Sequence, residues 1–279
     1  MDESINISFA NQTTIFLIKS MKIKTIQTGS TLVSSAVPNR ATHRWKYAYT
    51  GLFQRRKTRI EVPVKCFYVT VGKHHLLIDT GWSKLNRTEP LKHLGFGLWF
   101  ASEPVLPEGE AACEQLTGKP IDAILMTHLD CDHISGLFDF HDINTYTSAE
   151  EIAFAKRNRL RYGGLDKGHT FRTIPFVADE AAPFGKSCDL FGDGTVIAYL
   201  TPTHSAGSVI YKIQDGDRFA LIVGDNGYNH ASWQQGLLPG PLYDADNMRK
   251  CLAWLKEQEQ QPACLGIFCA HDPQMMKVL

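Results

Sequence analysis

The sequence predicts an α/β fold with β-strands in the interior and helices on the outside. Short apolar segments with strand-like patterns recur in both halves of the chain, and helical segments follow them in each half. No repeat, low-complexity tract or linker rich in Pro, Gly and Ser separates the halves. We therefore expect the 279 residues to form one domain over residues 21–279 around a shared core, preceded by a polar extension.

The extension, residues 1–20, is polar and a candidate for disorder, with no pattern of a cleaved signal peptide. Met21 opens a clean strand pattern and is a candidate for the natural start. The first half contains three predicted strands, at residues 22–27, 65–71 and 75–79. The last two form a hairpin that turns at Gly72-Lys73.

Residues 82–120 are predicted to be irregular except for a short helix over residues 108–116. An aromatic-rich segment of this kind forms either a pocket wall or a small additional core. We expect Trp82, Phe96 and Trp99 to line a pocket that receives the substituent of a substrate.

The second half begins with a capping box, Ser148-Ala149-Glu150-Glu151, which predicts a helix through about Asn158. An amphipathic helix is predicted over residues 245–260. Strands are predicted near residues 171–176, 195–201, 207–213, 218–224 and 265–270.

Composition excludes several classes of protein. The 29 basic and 29 acidic residues cancel, so nothing indicates nucleic acid as a partner. No apolar segment is long enough to predict a membrane span. The seven cysteines are odd in number and show no paired spacing, which indicates reduced thiols in a cytoplasmic protein.

The most informative segment is Thr127-His128-Leu129-Asp130-Cys131-Asp132-His133, directly after an apolar strand. Four side chains able to bind a metal lie within six residues of one another there. A polar loop that carries two histidines is the alternative interpretation. We expect Cys131 to pack rather than to bind metal.

Three more strand ends carry residues of the same kind. His204 follows the strand near 195–201, Asp225 follows Val223-Gly224, and His271 follows the final strand. A single histidine in such a position is more often a surface or hydrogen-bonded residue. Four strand ends with the same character predict a metal site.

With these motifs the sequence resembles the metallo-β-lactamase superfamily, and within it the N-acyl-homoserine lactonase-like hydrolases, over residues 21–272. The segments that carry the resemblance are Leu77-Ile78-Asp79-Thr80-Gly81, His128 to His133, Thr201-Pro202-Thr203-His204-Ser205-Ala206-Gly207, Gly224-Asp225 and Ala270-His271-Asp272.

The resemblance implies a four-layer αββα sandwich of two mixed sheets with two divalent metal ions at one edge. Zinc is the expected metal, with iron or manganese as alternatives. The implied ligand sets are His128, His204 and Asp130 for the first metal, and Asp132, His133 and His271 for the second, with Asp225 bridging both. The aspartate of the first motif, Asp79, is expected to support the metal loop.

The departure from the family pattern that matters most is Asp130, which stands where the family has histidine. The aspartate lowers the expected net charge of metals, ligands and bridging hydroxide from about +1 to about zero. This change predicts a weaker Lewis acid and better tolerance of iron or manganese. Alternatively, Asp130 is too short to reach the metal, and the first site is empty or weakly filled.

The resemblance implies hydrolysis of a small-molecule ester or lactone by a metal-bound hydroxide, in a monomer or homodimer. Asp132 or Asp225 would relay the proton to the leaving group, and Tyr228 would hydrogen-bond the carbonyl. Two alternatives remain: a diiron oxidoreductase or oxygen-binding protein, suggested by Asp130, and a metal-stabilised binding protein without turnover.

Overall fold

The computed structural model describes residues 21–275 and Leu279, so the predicted disorder of residues 1–20 lies outside the described residues. One sheet contains β1 (Lys22–Val33), β2 (Ile60–Val71), β3 (His74–Ile78), β4 (Glu103–Val105), β5 (Ala123–Leu125), β6 (Thr145–Thr147) and β7 (Phe171–Thr173), in the order β4-β1-β2-β3-β5-β6-β7. The other contains β8 (Val177–Ala178), β9 (Lys186–Asp189), β10 (Val196–Leu200), β11 (Val209–Asp215), β12 (Arg218–Gly224) and β13 (Cys264–Cys269), in the order β13-β12-β11-β10-β9-β8.

The helices are α1 (Leu85–Thr88), α2 (Pro90–Ala101), α3 (Ala112–Gln115), α4 (Cys131–Ile134), α5 (Ala149–Arg157), α6 (Arg159–Tyr162), α7 (His230–Gln235) and α8 (Ala245–Glu259). Short 3₁₀ helices lie at Arg40–Thr42, Ala48–Thr50, Arg56–Thr58 and Ser135–Asp139.

Side-chain alternation along the central strands produces the layers. In β2, Phe67 and Val69 enter the core between the two sheets, whereas Cys66 enters a second core beneath helices. In β12, Ile222 faces the core between the sheets and Leu221 faces α8. Fully burying one such side chain contributes roughly 2 kcal/mol. The predicted αββα sandwich is confirmed.

Parallel pairing at the sheet centres places the strand ends that carry the candidate ligands. β5 pairs parallel to β3 in one sheet, and β13 pairs parallel to β12 in the other. The carboxyl ends of parallel strands meet at the same edge of a sheet. The loops after β5 and after β12 and β13 are thereby brought to one edge of the sandwich.

The predicted hairpin is confirmed, with Phe67 opposite Ile78, Val71 opposite His74, and Gly72 at φ 58° in the turn. The capping box is confirmed in part. The Ser148 hydroxyl accepts a hydrogen bond from the Glu151 N–H and starts α5, but the Glu151 carboxylate points elsewhere.

The prediction of an irregular segment over residues 82–120 is wrong, because α2 lies within it. Gly95, at φ 75° and ψ 160°, interrupts that helix and hides its period in the sequence. The short helix predicted over residues 108–116 is reduced to α3. Trp82 does not line a pocket, because it is fully buried and donates its indole N–H to the Ser30 carbonyl.

The other two rings of the expected pocket wall differ in exposure. Phe96 is 69% exposed, and Trp99 packs against the core beneath the helix. Cys131 is buried in the same core, as expected. No helix within the described ranges is long and apolar enough to cross a membrane.

Candidate metal centre

Asp79 fixes the loop that follows β5. Its carboxylate accepts hydrogen bonds from the backbone N–H and hydroxyl of Thr127, at 2.8 and 2.7 Å, and contacts His133 Nδ1 at 2.8 Å. A histidine whose Nδ1 faces a carboxylate presents Nε2 on the other side of its ring. Asp79 therefore supports the loop and orients His133, as the resemblance implied.

The second predicted metal position brings together residues from three loops. His271 Nε2 lies 3.2 Å from Asp225 Oδ1 and 3.4 Å from Asp132 Oδ2, and His133 Nε2 lies 3.4 Å from Asp225 Oδ1. The Pro63 carbonyl contacts His271 Nδ1 at 2.8 Å and orients that ring as Asp79 orients His133.

The first predicted position contains an additional residue. His204 Nε2 lies 2.9 Å from Asp130 Oδ2, and His128 Nε2 lies 3.5 Å from the same oxygen. Arg161, on α6, donates from Nε and Nη2 to the two carboxylate oxygens of Asp130 at 2.8 and 2.7 Å. The same Nη2 lies 2.8 Å from His204 Nε2.

Unpartnered buried atoms show that the residues fit a divalent metal. His133 Nε2, His128 Nε2 and Asp225 Oδ1 are buried and have no hydrogen-bond partner. Buried polar atoms without partners are costly, and one ligand atom from each of these three residues lies within 4.8 Å of the other two. Imidazole nitrogens and carboxylate oxygens form the donor set that zinc prefers.

Charges within the site shift the pKa values of its groups. Burial raises the pKa of Asp225, but the neighbouring His271 and His133 outweigh it and hold that pKa well below its usual range. Burial also opposes ionisation of Asp130, where Arg161 and the adjacent histidines lower the pKa well below normal. Burial and the nearby Arg161 charge together lower the pKa of His204 to about 4.

Tyr228 borders the second position. Its ring stacks on His271 with centroids 4.3 Å apart and planes inclined by 22°. Burial, followed by the charges of Asp225, Asp132 and Asp130, raises the pKa of the phenol well above its usual value.

Glu151 connects the loops that carry the ligands. One carboxylate oxygen accepts hydrogen bonds from Leu129 N–H at 3.0 Å and from the Tyr162 hydroxyl at 2.9 Å. The other accepts from the Ser205 hydroxyl and from the Gly207 N–H at 3.2 Å. The loop that carries His128 and the loop that carries His204 are thus held by one buried side chain.

The structure gathers all of the predicted site residues at one edge of the sandwich. They are His128, Asp130, Asp132, His133, His204, Asp225, His271 and Tyr228. Sequence reasoning missed Arg161 and Glu151. Glu151 is the last residue of the capping box, which marked it as a residue with a local role but not as a contact of the ligand loops. Arg161 lies in a basic segment that shows no motif.

Residues 59–271 match the model of the Metallo-beta-lactamase superfamily, which is more than half of the chain. The chain therefore belongs to that superfamily.

The chain also resembles curated hydrolases. It is 28% identical over 229 residues to a probable metallo-hydrolase of Mycobacterium tuberculosis, covering 73% of this chain and 72% of that protein. It is 25% identical over 228 residues to the N-acyl homoserine lactonase AttM of Rhizobium radiobacter, covering 76% of this chain and 83% of the relative.

Solved structures support the fold. An N-acyl homoserine lactone hydrolase with N-hexanoyl-L-homoserine at its catalytic metal centre aligns with a TM-score of 0.67 at 20% identity, covering 91% of this chain and 94% of that one. The dizinc quorum-quenching lactonase AidC aligns with a TM-score of 0.61 at 15% identity, covering 94% and 90%.

Proposed function

We propose that this protein hydrolyses a small lactone or ester with the help of a divalent metal ion, and that this metal is zinc. The observation that carries the proposal is the convergence of His133, His271, Asp132 and Asp225 at one buried position. These four residues would hold the metal there. A divalent metal at such a site supplies a Lewis acid and lowers the pKa of water.

The side chains around that position have separate roles in this proposal. Asp79 and the Pro63 carbonyl hold the rings of His133 and His271 in place, so that the ligand atoms need little rearrangement. Tyr228, whose ring stacks on His271, would donate a hydrogen bond from its hydroxyl to the substrate carbonyl. Asp132 or Asp225 would take the proton that the attacking water loses and pass it to the leaving alkoxide.

A neighbouring cavity supports a small-molecule substrate. It has a volume of about 350 Å³ and is lined in part by Arg40, Arg44, Trp45 and Tyr49. Burial raises the pKa of the Tyr49 phenol, and the charges of Arg161 and Asp130 also act on it, which places this wall of the cavity on the side of the first position. We place the substituent of the substrate in this cavity.

The cysteines support a cytoplasmic location as part of the same proposal. All seven are free thiols, five of them buried, as in proteins of reducing compartments.

The experiment is elemental analysis of protein purified without added metal, followed by a panel of lactones and esters on the same sample. We expect bound zinc and turnover of at least one lactone or ester. His271→Ala is expected to abolish that turnover, and His141→Ala, at an exposed histidine, is the matched control. Full activity of His271→Ala after dialysis against chelator would contradict the proposal.

A different result would favour one of the alternatives. Bound iron with a visible absorption band and no hydrolysis would indicate the diiron oxidoreductase. Bound metal with neither hydrolysis nor a visible absorption band would indicate a metal-stabilised binding protein.

A further inference from the structure

Arg161 gives the first predicted metal position a positive charge of its own. Its guanidinium bonds both oxygens of Asp130 in the parallel, two-point geometry that is strongest between arginine and carboxylate. A further bond, from Nη1 to the His204 carbonyl at 3.1 Å, fixes the group against the loop. The side chain is only 22% exposed, so water screens the pair weakly.

The same guanidinium competes with a metal for the ligand atoms. In the tautomer protonated at Nδ1, Nε2 of neutral His204 has one lone pair, and Arg161 Nη2 lies 2.8 Å from that atom. A zinc ion would have to lie about 2.0–2.1 Å from the same nitrogen, close to a fixed positive charge. Asp130, the carboxylate that would help to neutralise such an ion, is already paired.

At the first position Arg161 contacts two of the three candidate ligands, Asp130 and His204, while His128 Nε2 has no hydrogen-bond partner. At the second position two ligand atoms have none. His133 Nε2 and Asp225 Oδ1 have no hydrogen-bond partner there. His271 Nε2 faces the carboxylates of Asp225 and Asp132. These atoms face one another across a gap that a single cation would fill.

We propose that Arg161 takes the place of one metal ion, so that the protein holds a single divalent metal at Asp132, His133, Asp225 and His271. Arg161 and Asp130 form a neutral pair on the other side of the centre. Arg161 is a positioning residue in this arrangement, because it holds Asp130 and the His204 loop. The inference rests on the proposed function in assigning a catalytic use to the metal. The number of bound ions does not depend on that function.

The test counts bound metal. Protein stripped with chelator is titrated with zinc chloride in a calorimeter, and the bound zinc is measured by elemental analysis after removal of the excess. We expect one equivalent for the unmodified protein. Arg161→Met removes the guanidinium and leaves Asp130 unpaired beside His128 and His204, so we expect two equivalents.

Two control variants test whether a changed zinc count reflects loss of the guanidinium rather than misfolding. Arg161→Lys retains a positive charge and is expected to bind one equivalent. Arg159→Met removes a neighbouring arginine on α6 that pairs with Asp166 instead, and it is also expected to bind one. Two tightly bound equivalents in the unmodified protein, or one equivalent in a folded Arg161→Met, would overturn the inference.

The outcomes for metal number and for hydrolysis are separable. Two equivalents together with lactone or ester turnover would refute the single-metal centre and leave the proposed function standing. One equivalent of zinc with no turnover of any lactone or ester would support the single-metal centre and contradict the proposed function.

Discussion

At the scale of single residues, Glu151 has a structural role at the candidate metal centre. Its carboxylate accepts four hydrogen bonds from two ligand-bearing loops and from Tyr162, and its side chain is fully buried. A buried carboxylate is tolerated when its oxygens are fully paired in this way. The distance between the loops of His128 and His204 therefore depends on it.

Glu151→Gln tests this role while keeping the shape of the side chain. In glutamine an NH₂ group, which is a donor, replaces one of the two acceptor oxygens. The two N–H or O–H groups that bonded to that oxygen then lose their acceptor. We expect the free energy of unfolding to fall by about 3 kcal/mol, measured by urea denaturation. Glu150→Gln, at the partly exposed neighbour, is expected to change it by less than about 0.5 kcal/mol. Equal effects of the two variants would contradict the role of Glu151.

The convergence of the candidate ligands was predictable from the sequence, and the side chains that contact them were not. His128, His204, Asp225 and His271 each follow an apolar strand, so one local pattern locates them. Arg161 meets Asp130 only because α6 packs across the ligand loops, and no sequence pattern encodes that contact. The sequence predicted that the negative charge of Asp130 would make the metal centre a weaker Lewis acid. That prediction did not include the positive charge of Arg161, which pairs with Asp130.

At the scale of elements, the contact of α5 with the loop after β10 leaves no room for a side chain at Gly207. A Cβ atom built there would lie 2.0 Å from the backbone nitrogen of Glu151 and 2.3 Å from Ser148 Oγ. The Ser148 hydroxyl, which caps α5, also donates to the Gly207 carbonyl at 2.6 Å. The helix start and the His204 loop are therefore one packed unit.

Gly207→Ala is expected to destabilise the protein by about 3 kcal/mol, because backbone must move to admit the methyl group. Gly97→Ala is the control, since nothing lies within 4 Å of a Cβ there and the residue is helical. That variant should raise the free energy of unfolding by about 0.5–1 kcal/mol. Thermal or urea unfolding of both variants measures the difference, and a harmless Gly207→Ala would refute the close contact.

Helix α2 shows where sequence patterns fail at this scale. Its two halves are out of phase across Gly95, so neither half is long enough to show a helical period. By contrast, β12 and α8 were located within one residue at each end, because their apolar patterns are unbroken.

At the scale of the whole molecule, the four layers followed from the family motifs rather than from hydrophobic patterns. The patterns indicated strands inside and helices outside. They could not show which strands share a sheet, because β4 joins β1 across a long stretch of chain and β8 begins the second sheet only a few residues after β7. Such pairings depend on tertiary packing.

The parallel pairing of β12 with β13 has a kinetic consequence. Asp225 and His271 become neighbours only when the last strand has docked, so these two candidate ligands cannot bind one metal ion together before that step. We expect zinc to slow unfolding in stopped-flow experiments while the refolding rate stays unchanged. Faster refolding with zinc would show instead that the ligands gather before the rate-limiting step. A bound metal would then govern how long the folded chain persists, and not how quickly it forms.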